Sequence, residues 1–130
     1  MKIMVAFDGS NASREALKLA TQYASVFQAA VHLVLSMVGG PEVPREDFVN
    51  NEKELDLAKA QVQAAGIPCQ SHMLVRGLSA GEDLVQYAVE HQIDLLVIGV
   101  YRRSAVGKLV FGSTAQYVVL NAPCPVLSIR

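Results

Sequence analysis

The sequence is poor in the features that would place it on a membrane, on nucleic acid or outside the cell. Its 130 residues contain no tryptophan and two cysteines, and the formal net charge is -1. Such a chain lacks the broad positive field that attracts nucleic acid. No apolar run approaches a membrane span of roughly 20 residues, and the first run ends early at Asp8, which argues against a signal peptide. We therefore expect a cytoplasmic protein with no nucleic-acid partner and no membrane span.

Groupings typical of metal sites and catalytic sites are also missing from the sequence. Cys69 and Cys124 lie far apart and have neither zinc-ligand nor Cys-x-x-Cys spacing, so we expect two unpaired thiols. The histidines, His32, His72 and His91, are dispersed, which favours core or surface roles over metal ligation. No nucleophile and base pairing can be assembled, so we predict no catalytic residue and no protein-held metal.

The standard nucleotide-binding motifs are absent as well. A P-loop would need a glycine five positions before Gly107-Lys108, where the chain has Arg102, and no G-x-G-x-x-G follows the first apolar run. The P-loop NTPases and the typical dinucleotide-binding proteins are therefore weak candidates.

What the sequence does contain is an alternation of apolar runs and helical patterns. Apolar residues make up 52% of the chain, and the runs are nearly continuous, as in parallel strands covered on both faces. One domain over residues 1–130 is expected from the length. The five predicted strands are Ile3 to Phe7, Val31 to Leu35, His72 to Val75, Leu95 to Ile98 and Val126 to Ile129.

Four helices are predicted between these strands. Ser10 or Asn11 can cap the first, and Ser79 with Glu82 forms a capping box in which hydroxyl and carboxylate each satisfy a backbone donor. A fourth runs from about Ser113 to Leu120. The expected apolar positions are Ala16, Ala20, Tyr23, Ala24 and Phe27 on the first helix, Leu55, Leu57, Ala58 and Val62 on the second, and a buried stripe of Leu84, Val85, Ala88 and Val89 on the third.

This alternation predicts an α/β fold, an open parallel sheet with helices on both faces. Ligands of such sheets bind beyond the carboxyl ends of the strands. Asp8 lies at one such end, where it is either a ligand contact or a simple cap of the first helix. Gly99 ends the fourth strand without a side chain, which permits a close backbone approach by a ligand.

The segment after the fourth strand has the chemistry of an anion site. Gly112-Ser113-Thr114 opens a helix, so backbone amides, two hydroxyls and the positive helix end converge. Arg102, Arg103 and Lys108 add positive charge nearby. The alternative is an ordinary surface loop with solvated cations and a standard helix cap.

Taken together, these stretches resemble the universal stress proteins, small domains with the adenine nucleotide alpha-hydrolase-like fold. The resemblance covers nearly the whole chain. It rests on Val5-Ala6-Phe7-Asp8-Gly9-Ser10, Asp94-Leu95-Leu96-Val97-Ile98-Gly99, Gly112-Ser113-Thr114-Ala115 and Cys124-Pro125-Val126-Leu127. The glycine motif of the family's ATP-binding subgroup is matched by Gly99, Gly112 and Ser113, whereas Arg102 replaces its second glycine.

The resemblance implies a three-layer, Rossmann-like sheet of five parallel strands in the order 3-2-1-4-5, and ATP or a related adenine nucleotide, with Mg²⁺ as an option. It places Cys69 and Cys124 at opposite edges, about 19 Å apart, which excludes an internal disulfide. The site residues it implies are Ala6, Phe7 and Asp8 on the adenine and ribose side, Met37 as an apolar wall, Ile98 and Gly99 at the fourth strand, Arg102 and Arg103 in the loop, and Gly112, Ser113 and Thr114 around the phosphates.

Arg102 makes the strength of binding an open question. A left-handed backbone there would cost about 1–2 kcal/mol, whereas a charge-assisted contact to phosphate contributes about 1.5–3 kcal/mol. We expect binding that is retained but altered, and Arg102→Gly to change the ATP dissociation constant.

Three functions stay open on the sequence alone. The leading one is a stress-response regulatory protein that binds an adenine nucleotide, hydrolyses it slowly at most, and acts on an unknown protein partner. The second is a dimeric interaction module that has lost nucleotide binding through Arg102, and the third is an adenine-nucleotide-dependent hydrolase or adenylating enzyme. The resemblance also implies a homodimer formed by antiparallel pairing of the terminal strand, Val126 to Arg130.

Overall fold

The computed structural model describes residues 1–37, 44–100 and 112–129, together with the backbone of residues 102–103 and 109–110. The helices are α1 (Asn11–Phe27), α2 (Arg45–Ala64), α3 (Ala80–Glu90) and α4 (Ser113–Asn121). The strands are β1 (Lys2–Ala6), β2 (Ala30–Ser36), β3 (Cys69–Leu74), β4 (Leu95–Gly99), β5 (Arg102–Arg103), β6 (Leu109–Val110) and β7 (Val126–Ile129).

Five of the strands form one sheet in the order β3-β2-β1-β4-β7, with every pairing parallel. Numbering only these five gives the order 3-2-1-4-5, which confirms the predicted fold. β3 and β7 are the two edges, and both Cys69 and Cys124 are free thiols. Within the described ranges no helix is long and apolar enough to cross a membrane.

The sheet separates two apolar cores, so the architecture has the predicted three layers. Side chains of β1 alternate between them: Ile3 and Val5 face the core beneath α1 and α2, whereas Met4 and Ala6 face the core beneath α3 and α4. Both faces of these strands must therefore be apolar, which is why their apolar runs are continuous. The central residues of β1, β2 and β4 are at most 9% exposed, so close packing on both faces holds the strand ends that follow them in place.

The helix caps follow the sequence closely. Ser10 Oγ accepts a hydrogen bond from the Ser13 amide at 3.1 Å, and Ser79 Oγ accepts one from the Glu82 amide at 3.3 Å. The capping box differs in one half, because the Glu82 carboxylate accepts its hydrogen bond from the Ser79 hydroxyl at 2.7 Å. The carboxylate thus orients the capping hydroxyl.

Several predicted details were wrong. Val89 on α3 is 58% exposed, whereas Tyr87, which was not predicted, is buried at 2% beside the predicted Leu84 and Ala88. Leu57 on α2 is also 67% exposed. The short antiparallel pair β5 and β6 was not predicted, because two-residue strands carry no apolar pattern. β3 runs from Cys69 to Leu74 rather than from His72 to Val75, and its first half was missed because Gln70, Ser71 and His72 interrupt the apolar pattern.

Candidate functional site

A cleft opens at the carboxyl ends of β1, β2 and β4, between the starts of α3 and α4. Its cavity volume is about 150 Å³, and the cleft is partly open to solvent. The described residues that line it are Ala6, Phe7, Asp8, Ser13, Val34, Ser36, Ala80, Leu84, Ile98, Gly99 and Thr114.

Six of the predicted site residues line this cleft: Ala6, Phe7, Asp8, Ile98, Gly99 and Thr114. Gly112 and Ser113 stand directly beside Thr114 at the start of α4. Met37 is not among the lining residues given above, and its buried side chain packs in the core beneath α1 and α2. The side chains of Arg102 and Arg103 lie outside the described residues, as does all of Lys108.

Asp8 serves the start of α1 and faces solvent at the same time. Its Oδ1 accepts a hydrogen bond from the Ser10 amide at 2.9 Å, which fixes the turn that precedes α1. The residue is exposed at the cleft. The capping and ligand-contact interpretations are therefore compatible, because one oxygen orders the turn and the second is left for other partners.

The start of α4 has the character of an anion site. Gly112 is the N-cap residue and contributes no side-chain hydrogen bond, while its carbonyl accepts from the Gln116 amide at 3.0 Å. The amides of the first turn point out of the helix, and no acidic residue occupies this turn. The partial positive charge of the helix end is thus directed toward the Thr114 side of the cleft.

Gly99 has a structural neighbour that the sequence did not reveal. A Cβ at this position would lie 2.6 Å from the backbone carbonyl carbon of Ala12 and 2.7 Å from its Cβ and oxygen. The absent side chain therefore lets α1 pack directly on β4. Close packing of this helix accounts for the glycine without any ligand.

The backbone at Arg102 is extended. Arg102 pairs with Val110 in the β5–β6 ladder, and the described residues with positive φ other than glycine are Gln28 and Gln92. The left-handed conformation considered for Arg102 therefore does not arise, and its cost of about 1–2 kcal/mol does not apply.

A buried ion-pair network lies beside the cleft, and sequence reasoning missed it. Asp83 on α3 is 0% exposed. Its carboxylate accepts from Arg76 Nε at 2.5 Å and from Ser36 Oγ at 2.8 Å. Arg76 also pairs with Glu90 at 2.9 Å. Burial acts to lower the pKa of Arg76, but the hydrogen bonds to both carboxylates raise it above its ordinary value. Asp83 and Glu90 are on α3, whereas Arg76 precedes this helix and Ser36 is on β2, so no sequence motif links the four residues.

The three histidines meet in space, contrary to the expectation that they are dispersed. The ring centroids of His32, His72 and His91 lie 6.0 to 6.5 Å apart. Tyr87 joins them: its hydroxyl is 2.7 Å from His32 Nδ1, and its ring stacks on His91 at 3.9 Å. In the described ranges no three His, Cys, Asp or Glu side chains are arranged to hold a metal ion.

The environment of this cluster disfavours positive charge. Burial, followed by the charges of His91, His72 and Lys2, lowers the pKa of His32 below 6.5. Burial, followed by His91 and Lys59, lowers the pKa of His72 in the same way. Both imidazoles are therefore kept neutral to more acid pH than in an unfolded chain.

The fold and the cleft define a class: an open α/β protein with a cleft at the carboxyl edge of its parallel sheet. Comparison with known proteins identifies the family within this class. The sequence model of the Universal stress protein family matches residues 1–130. A universal stress protein of Thermus aquaticus is 33% identical over 98% of this chain and 97% of its own length. The chain belongs to the universal stress protein family.

Solved structures of the family agree with this assignment. A universal stress protein from Archaeoglobus fulgidus is 35% identical and superimposes with a TM-score of 0.91, covering 100% of this chain and 98% of its own. The A. fulgidus universal stress protein in complex with dAMP is 31% identical, with a TM-score of 0.86 and the same coverage. That protein binds an adenine nucleotide.

Proposed function

We propose that this protein binds an adenine nucleotide in the cleft and acts as a regulatory protein of the stress response, with residues 1–130 as one domain. The observation that carries the proposal is the cleft itself. Its walls are apolar at Ala6, Val34 and Ile98, and its polar groups stand at Asp8 and Thr114. A family member that is 31% identical was solved with dAMP.

The three parts of a nucleotide fit different parts of the cleft. The phosphates belong at the start of α4, where free amides and the helix dipole favour an anion. The ribose belongs beside Asp8, whose exposed carboxylate can accept hydrogen bonds from sugar hydroxyls or hold a Mg²⁺ near the phosphates. The base then lies toward β2. With its extended backbone, Arg102 contributes charge without backbone strain, so we expect Arg102→Gly to weaken ATP binding.

A calorimetric titration tests the proposal, using ATP with and without Mg²⁺, and AMP. We expect binding by the intact protein and binding weakened several-fold in Thr114→Val, which removes the hydroxyl and keeps the shape. Thr21→Val is the matched control, since the Thr21 hydroxyl bonds the Leu17 carbonyl within α1 and lies away from the cleft. Absence of binding by the intact protein would favour the interaction module instead, and sustained phosphate release would favour the enzyme.

We further propose a homodimer formed through β7. β7 is a sheet edge, paired only with β4 in the described sheet. The Leu96 amide donates to the Pro125 carbonyl and the Val100 amide to the Ile129 carbonyl. The alternate residues, Val126 and Ser128, therefore turn their backbone groups away from β4, where a second copy can pair with them.

Sedimentation of Ser128→Pro tests this interface. Proline removes the outward amide of an exposed residue and spares the pairing with β4, so we expect a monomer. Ser128→Ala changes the same side chain but keeps the amide, and it should remain a dimer. A dimer that persists unchanged in Ser128→Pro would contradict pairing through this strand.

A further inference from the structure

A single side chain on β2 stands where the base of the nucleotide would lie. Ser36 lines the cleft. Its side chain is on the same face of the sheet as Val34, because it bonds Asp83 of α3. Ala6, Leu84 and Ile98 share this face. The Ser36 hydroxyl is therefore a polar group set among apolar walls.

The partners of this hydroxyl determine what it can recognise. Asp83 is fully buried and ion-paired with Arg76, so its carboxylate accepts hydrogen bonds and has no proton to give. The hydrogen bond at 2.8 Å must therefore run from Ser36 Oγ to Asp83. The serine proton is used in this bond, and only the oxygen lone pairs remain for a ligand.

The position of Ser36 in the sheet indicates which part of a nucleotide it meets. β2 and β4 are separated by β1, which places them two strand spacings, or about 10 Å, apart. Phosphates at the start of α4 lie beside β4, and a ribose at Asp8 lies beyond β1. Ser36 is thus at the far end of the cleft, at the edge of the base.

We propose that Ser36, oriented by Asp83 and Arg76, is a specificity-determining residue that accepts a hydrogen bond from an exocyclic amino group of the base and disfavours a carbonyl at the same position. This inference rests on the proposed function. Adenine offers an amino group at its 6-position, whereas hypoxanthine offers a carbonyl oxygen there. If Ser36 Oγ faces the carbonyl oxygen of hypoxanthine, no hydrogen bond forms between them, and both oxygens are left without a donor.

The test compares AMP with inosine monophosphate, which has a carbonyl oxygen in place of the amino group and a hydrogen on the neighbouring ring nitrogen N1. We expect the intact protein to bind AMP at least about tenfold more tightly. Ser36→Ala should reduce this preference to below about threefold, mainly by weakening AMP binding. Ser25→Ala removes an exposed hydroxyl on α1 and should keep the full preference.

A second variant examines the direction of the hydrogen bond. In Asp83→Asn the side-chain amide can donate to Ser36 Oγ, which frees the serine proton to face the cleft. We expect the ratio of affinities to shift toward inosine monophosphate. Thermal melting reports whether this variant folds, and Ser36→Ala decides the question if it does not.

The outcomes separate this inference from the proposed function. If the intact protein binds both nucleotides equally, or if Ser36→Ala keeps the full preference, the role of Ser36 is overturned and nucleotide binding stands. If it binds neither, the proposed function fails and the inference fails with it.

Discussion

Replacing Gly99 by alanine tests whether this position requires glycine for the packing of α1 or for the binding of a ligand. The added Cβ would meet the Ala12 backbone at 2.6 Å, whereas ordinary contact begins at 3.4 Å. The start of α1 must therefore withdraw by about 0.8 Å from a sheet whose central strands are fully packed. Overpacking of this kind costs about 1–3 kcal/mol.

We expect Gly99→Ala to lower the free energy of unfolding by about 2 kcal/mol and the melting temperature by about 8 °C. Urea titration followed by circular dichroism measures the first, and a thermal scan the second. Because α1 starts beside Asp8, nucleotide affinity should fall as well, but the loss of stability should appear without any ligand.

Gly81→Ala is the matched control for the same added methyl group. Its Cβ would meet Cβ and Cδ1 of Tyr117 at 2.9 Å, and because Cβ is fixed by the backbone of α4, the two helices must move apart by about 0.5 Å. Alanine favours a helix over glycine by about 1 kcal/mol, which offsets part of this cost, so we expect a smaller loss of stability than in Gly99→Ala. Our reasoning fails if Gly99→Ala is as stable as the parent protein, or if Gly81→Ala is the more damaging of the two.

Three further predictions concern stability and thiol chemistry. The stability contributed by neutral His32 and His72 is complete above pH 6.5, the ordinary imidazole pKa. It is lost as the pH falls below this value, because the unfolded chain then binds protons that the folded chain does not bind. The urea midpoints at about pH 7.5 and about pH 5.5 should therefore differ less in the double variant His32→Gln, His72→Gln than in the parent protein. Leu55→Ala should lower the free energy of unfolding in the same titration by about 2–5 kcal/mol, because Leu55 is 3% exposed. Leu57→Ala should change it by no more than about 0.5 kcal/mol. Equal losses in the two variants would contradict the buried face that the structure gives for α2. Burial raises the pKa of the Cys69 thiol to about 11, so alkylation of Cys69 by iodoacetamide, followed by mass spectrometry, should be slow in the folded protein and fast in urea.

Local signals were sufficient for most of the fold. Continuous apolar runs identified the five main strands, and the caps at Ser10 and Ser79 placed two helix starts correctly. These features depend on neighbours within a few residues. The side of α3 that is buried was harder to predict, because Tyr87 and Val89 are both apolar enough to fill a core and only the position of the sheet selects Tyr87.

The candidate site, like the fold, could be predicted from the sequence only in part. Asp8, Gly99 and Thr114 follow from the rule that ligands bind at the carboxyl ends of parallel strands, and the structure brings these residues to one cleft. Ser36 follows from the same rule only as a position at the end of the second strand, because the role of its side chain depends on Asp83, which lies 47 positions later in the chain. The histidine cluster was missed for the same reason.

By itself, the sequence determined the alternation of strands and helices, the absence of a long apolar span, and the starts of α1 and α3, since each is set by the chemistry of adjacent residues. Only the tertiary structure decided which distant groups meet. It placed Ala12 against Gly99, Asp83 beneath Ser36 and Tyr87 among three histidines, because contacts across a sheet depend on strand order and register, which no local pattern encodes.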